Sequence, residues 1–314
     1  FCAGNAYTEV PTPERAPVAP YELPGAPPVA NKIDEIVFAK LAELNIKPSY
    51  RCSDEVFMRR AYLDLTGSLP QAAEVREYLN APPASRRKAL VNRLLETDAF
   101  VAYQTMKWCD ILRVKSEFPV NLWPNAVQAY HRWVLTAIRS NMAYDRFARE
   151  LITANGVNFR DPPANFFRAV QKKEPYSISA SVALSFLGSR TSGWPKSQWE
   201  GFAAFFAKVN YKSTLEWKEE IIFFDPDKPV PKGADGKPIE PVFPGGKKAA
   251  IPPDVDPRIV FTDWLLAPDN PWFARAGANR LWSWIMGRGI IHEPDDIRPD
   301  NPPVNPALLA YLEK

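Results

Sequence analysis

Ser177-Ile178-Ser179-Ala180-Ser181-Val182-Ala183-Leu184-Ser185-Phe186-Leu187 carries no charge, no proline and no glycine. A stretch that is small or apolar on every face reads as a helix buried all round, so it is expected at the centre of an α-helical protein. Its neighbours support that. Residues 196–208 form a further Phe-rich helix. Upstream, Val127, Tyr130, Val134 and Ile138 recur at helical spacing over 123–139, and residues 144–152 continue in the same style.

Further outward, Ile33, Ile36, Val37, Leu41 and Leu44 mark a helix that ends before Pro48. Ser53 is placed to cap a second, which Gly67 and Pro70 stop. Residues 71–79 form a short helix, Ser85 caps the next, and Thr97 opens one that runs to about Lys115. The pattern changes after Asn210. Glu220-Ile221-Ile222-Phe223-Phe224-Asp225 reads as a strand, Asp235-Gly236 as a turn, and Ile239 to Phe243 as the returning strand. Helices resume over 256–267 and 271–286, and one more begins near Asn305. The fold expected is mainly α, a multi-helix array with a small inserted β-hairpin. It divides into a Pro-rich extended segment (1–30), a helical domain (31–210), a hairpin with a Gly/Pro linker (211–255) and a second helical region (256–314).

Length and composition narrow the functions open to it. The chain has 314 residues, 46% of them hydrophobic, enough for a sizeable core, and no apolar run long enough to span a bilayer. Net charge is only +3 with the signs interspersed, and Arg86-Arg87-Lys88 and Lys247-Lys248 read as solvated surface, so nucleic acid is not an expected partner. Cys2, Cys52 and Cys109 make an odd count without metal-like spacing. They allow one disulfide whose pairing the sequence leaves open.

Long motifs then point to a family. Phe57-Met58-Arg59-Arg60-Ala61-Tyr62-Leu63-Asp64-Leu65-Thr66-Gly67-Ser68-Leu69-Pro70, Leu90-Val91-Asn92-Arg93-Leu94-Leu95, Phe186-Leu187-Gly188 and Gly201-Phe202-Ala203-Ala204-Phe205-Phe206 resemble the domain-of-unknown-function family 1549. Asp256-Pro257-Arg258, Pro268-Asp269-Asn270-Pro271-Trp272-Phe273, Asn279-Arg280-Leu281-Trp282, Gly287-Arg288-Gly289 and Asp295-Asp296-Ile297-Arg298 resemble its usual companion, family 1553. The resemblance implies an exported, extracytoplasmic (periplasmic or secreted) protein of planctomycete type, from a group often fused to cytochrome c domains. It also implies that the second domain runs on beyond Lys314, so the chain reads as truncated or processed. Many relatives carry Cys-x-x-Cys-His between the Phe-Leu-Gly and Gly-x-Ala-Ala-Phe-Phe segments. Here residues 189–200 hold neither Cys nor His, so no covalent haem is expected there, and no other cofactor.

Candidate sites are few. His131 lies at the edge of the 123–139 stripe near Trp133, and a half-buried, hydrogen-bonded imidazole is preferred over a catalytic base. Asp64 lies near Arg59 and Arg60, and Asp110 is spaced i, i+3 from Arg113. Two carboxylates facing one cleft would suit acid–base chemistry on a polysaccharide, whereas ion pairs between helices explain them without chemistry. His292, Glu293, Asp295 and Asp296 form the densest polar cluster, whose oxygens would suit Ca²⁺. Pairing with Arg298 is the preferred alternative. Trp194, Trp199, Trp272, Trp282 and Trp284 would stack on sugars if exposed, but Phe273, Ala276, Leu281, Trp284 and Ile285 have core-like helical spacing. Trp194 and Trp199, in the segment that replaces the haem motif, are therefore the expected interaction surface. The leading expectation is an exported, non-catalytic structural or protein-interaction component. An enzyme or accessory factor acting on extracellular polysaccharide and a docking partner of a c-type cytochrome are the alternatives.

Overall fold

The computed structural model describes residues 21–117, 120, 122–233 and 235–314. Most of the Pro-rich lead-in, and Cys2 with it, lies outside them. Among the described residues the chain is mainly helical, with two small antiparallel sheets. None of the helices among these residues is long and apolar enough to cross a membrane.

Strand β1 (Glu22–Leu23) pairs with β2 (Arg51–Cys52) across helix α1 (Lys32–Glu43). The Asn31 side chain caps α1 by accepting from Asp34 N at 3.0 Å. Helices α2 (Asp54–Thr66), α3 (Ala72–Asn80) and α4 (Arg86–Leu95) enclose a small core of Met58, Tyr62, Tyr78, Leu90 and Leu94. Gly67 ends α2 in the left-handed conformation, φ 66°. Any side chain there would also press on the Tyr103 ring, 2.7 Å from its Cβ.

Helices α5 (Asp98–Ile111), α6 (Pro124–Arg139) and α7 (Tyr144–Ile152) lead to β3 (Gly156–Val157) and the short α8 (Asn165–Arg168). The quoted serine-rich stretch is α9 (Pro175–Val182), continued by a π-helical turn over Ala183–Leu187. It is central, as expected: Val182, Ala183, Phe186 and Leu187 are wholly buried in the main core with Tyr130, Leu151, Phe202 and Phe261. Helix α10 (Lys196–Ala203) follows.

The hairpin forms with a different partner from the one expected. Strand β5 (Glu220–Phe224) pairs with β4 (Val209–Ser213) before it and with β3, giving the order β3-β5-β4. Residues 239–243 contribute only an isolated bridge, Val242 with Lys248. The short connection over 214–219 closes the earlier pairing, and the prolines around Ile239 cannot donate to a ladder. Glu220, buried at the start of β5, pairs with Arg168 at 2.9 Å and Lys173 at 2.5 Å.

Helices α11 (Pro257–Leu265), α12 (Pro271–Met286) and α13 (Pro306–Leu312) complete the chain. Each begins with proline behind an Asp or Asn cap, the expected start for a helix. A third core of Ala276, Ile290, Ile291, Ile297, Leu308 and Leu309 also receives Ile33, Ile36 and Val37 from α1, so the first helix packs among the last ones. Leu281 and Ile285 are 53% and 60% exposed, against the core reading of their spacing. The face of α12 that turns inward carries Asn279 and Arg280 instead.

Cys52 and Cys109 are free thiols. Burial pushes the pKa of the Cys109 thiol up to about 12, well above that of an ordinary cysteine. A raised pKa means the fold favours the neutral thiol, so any stability it lends is intact below about pH 9 and lost as pH rises toward 12. At pH 8 the neutral thiol therefore dominates, and the thiolate is the nucleophilic form. Ellman's reagent is therefore expected to leave Cys109 unlabelled in native protein and to label it after unfolding. Rapid native labelling at Cys109 would contradict this environment.

Candidate functional site: a cleft at the junction

The Phe186-Leu187-Gly188 and Asp295-Asp296-Ile297-Arg298 motifs meet in space. A helix end leaves carbonyls without internal partners, and the π turn ending at Leu187 does so in the protein interior. Arg280, 4% exposed, supplies them: its Nη1 donates to Ser185 O at 2.6 Å and its Nη2 to Leu184 O at 2.8 Å. The same guanidinium holds Asp295 at 3.1 Å. Beside it, Asn279 donates to Ile291 O and accepts from Ile291 N, at 2.9 and 2.8 Å. Gly188 then turns the chain at φ 59°, and its carbonyl accepts from Ile297 N at 2.8 Å. A Cβ at Gly188 would stand 2.9 Å from Ile297 Cδ1 and 3.1 Å from Pro294 O, so glycine is required for the approach as well as for the turn.

Past this contact the two segments diverge and leave a cleft of about 750 Å³. One wall is Ser189, Arg190, Ser192, Gly193, Trp194, Pro195 and Gln198; the other is Trp272 with Asp296 to Asp300. A second hollow of about 430 Å³ adjoins it, sharing Trp272, Ile297, Arg298 and Pro299. Trp194 is half-buried and fixed, its Nε1 donating to Ser189 Oγ at 3.0 Å while its ring packs on Phe202. Arg298 is held between Asp296 at 3.0 Å and Asp300 at 3.2 Å. Arg190 approaches Glu293 at 3.8 Å, and His292 Nε2 lies 3.9 Å from the same carboxylate. Asn301 fixes the loop by donating to His292 O and Asp296 O.

The expected polar cluster is thus an ion-paired loop. Asp295, Asp296 and Glu293 each have an arginine partner, and no group of three or more His, Cys, Asp or Glu able to hold a metal occurs among the described residues. Trp194 and the Asp296–Arg298 pair, read separately in the sequence, come together in the cleft. Trp199 does not join them: its Nε1 donates to Ser179 Oγ at 3.1 Å and its ring meets Tyr176 edge-on.

The other candidates lie elsewhere. Asp64 is half-buried on α2, its charge felt by Lys107, and Asp110 is exposed at the end of α5. Arg113 turns from Asp110 and donates to Ser181 Oγ at 3.3 Å. His131 is exposed on α6, not half-buried. None of the three lines the cleft. Sequence reasoning set aside Trp272 and missed Arg190. The available signal was position, since Trp272 occupies the first turn of α12, where a side chain reaches the helix rim.

Residues 189–200, along one wall of the cleft, offer no thiol and no imidazole and so do not fit covalent haem. Residues 32–190 match the family model described as PSCyt2, Protein of unknown function (DUF1549), and residues 257–314 match PSD1, Protein of unknown function (DUF1553). No curated protein matches the chain, and no solved structure does. The cleft draws on both matched segments and on residues 192–198 between them. The chain belongs to the DUF1549 family and carries a DUF1553 segment on its C-terminal side.

Proposed function

We propose that this chain is an exported, non-catalytic interaction component that works by holding a ligand in the junction cleft. One observation carries the reading: the carboxylates of the cleft and its rim are engaged by guanidinium groups while two tryptophans form its walls. An acid or base that acts in catalysis needs a pKa poised near the working pH and a free approach to substrate. Carboxylates held by arginine at 3.0 to 3.2 Å are occupied as ion-pair partners and serve as oriented hydrogen-bond acceptors instead. Concave, largely preformed sites with a few oriented polar groups suit binding. Export rests on the family resemblance of residues 57–70 and 256–298.

The test is an activity screen of the full chain against chromogenic polysaccharide, peptide and ester substrates, with an absorption spectrum of the purified protein. No turnover and no Soret band are expected. Turnover that Asp296→Asn or Asp300→Asn abolishes would overturn the non-catalytic reading, and so would stoichiometric haem.

A further inference from the structure

We infer that the junction cleft is a binding subsite for a neutral oligosaccharide. The inference rests on the reading of the cleft as the working surface and names its ligand. Three features select the class.

The first is charge. Within the cleft Arg190 and Arg298 balance Asp296 and Asp300, and Arg298 is paired to both acids. The lining carries no net charge and so gives an ionic ligand no net attraction, while Arg190 approaches only Glu293 on the rim, at 3.8 Å. The second is the form of the polar groups. A guanidinium between two carboxylates sets donors and acceptors side by side, and each paired carboxylate keeps lone pairs for further hydrogen bonds. Adjacent sugar hydroxyls, each both donor and acceptor, match such a row. The third is the aromatic walls. Indole faces bury the apolar C–H face of a pyranose at little entropic cost, since the rings are already held. Trp194 is held by Ser189, and Trp272 is half-buried against the main core and the Ile291–Leu309 core.

A polypeptide fits less well. None of the five strands among the described residues lines the cleft, so none of them offers an edge there to an extended peptide. An amphipathic helix needs a long apolar groove, and ion pairs interrupt this one.

The experiment is calorimetric titration of the full chain with cellohexaose, maltohexaose and laminarihexaose. Trigalacturonate and a Pro-rich decapeptide serve as the charged and peptide arms. At least one neutral hexasaccharide is expected to bind, with affinity lowered about tenfold or more in Trp194→Ala and restored largely by Trp194→Phe. Arg190→Ala, at an exposed position, is expected to weaken binding several-fold with no change in melting temperature. Binding of trigalacturonate alone overturns the neutral class, and binding of the peptide alone overturns the carbohydrate. Either result, if lost in Trp194→Ala, leaves the cleft as the working surface. Neutral binding that is unchanged in both Trp194→Ala and Trp272→Ala overturns the subsite. No binding in any arm overturns the inference as well.

Discussion

Arg258→Ala is expected to be among the most destabilising single substitutions in this chain, at about 3–5 kcal/mol, because it leaves a buried carboxylate without its counter-ion. Arg258 is only 1% exposed. Its Nε and Nη2 hold Asp256 at distances down to 2.6 Å, Nη1 donates to Ala154 O at 2.8 Å, and Nη2 also donates to Asn155 Oδ1 at 2.6 Å. The guanidinium lies over the Phe167 ring. One side chain thus ties the start of α11 to the loop after α7. Lysine cannot reproduce the fork, so Arg258→Lys should recover only part of the loss. Pairing Arg258→Met with Asp256→Asn should recover more, since it also removes the stranded charge. Urea unfolding followed by far-ultraviolet circular dichroism measures all three. An Arg258→Ala protein within about 1 kcal/mol of wild type would refute the buried-pair account.

Arg280→Met is expected to cost about 3 kcal/mol, lowering the melting temperature by roughly 4–6 °C in a chain of 314 residues. The loss comes mainly from the Leu184 and Ser185 carbonyls, which methionine leaves buried without donors. Asp295 contributes less, because its side chain is 43% exposed and water can replace the guanidinium. A second consequence separates this position from an ordinary core residue. Arg280 fixes Asp295 beside the 296–300 wall, so the variant should also loosen the cleft loop. Hydrogen exchange faster at Ile297, whose N–H is bonded to Gly188 O, would show it. Faster exchange confined to the π turn would mean that Arg280 supports the helix end alone.

The helical architecture was legible in the sequence because its signals are local. Asn31, Ser53, Thr97, Asp256, Asn270 and Asn305 cap helices with side chains that accept from the following turn. The apolar stripe at Tyr130 and Val134 faced the core as its spacing required. Helix α12 shows where periodicity fails. Its apolar count favours Leu281 and Ile285 as core, yet the unsatisfied carbonyls of a π turn and of Ile291 draw Asn279 and Arg280 inward. A polar pair is buried there because its partners lie about a hundred residues away or across a turn, and no local pattern records that. The hairpin failed for a similar reason, since strand pairing is non-local and the nearer partner was hidden at the end of a Phe-rich helix.

The cleft was half legible. Trp194 stood out through the segment it occupies, and Asp296 and Arg298 through their density. Their meeting across the Gly188–Ile297 hydrogen bond was not readable from either stretch. Trp199 resembled Trp194 in sequence but sits on α10, whose rotation turns its ring toward α9.

The most direct test of the cleft as the working surface is an indole N–H correlation spectrum of the ¹⁵N-labelled full chain, recorded with and without a bound neutral hexasaccharide. The ten tryptophans are assigned through single Trp→Phe variants. The signals of Trp194 and Trp272 are expected to shift together on binding. Trp123 and Trp217, which meet edge-to-face beside the β4–β5 turn with Trp217 73% exposed, should stay in place. Shifts at Trp123 and Trp217 with Trp194 and Trp272 unmoved would contradict the account.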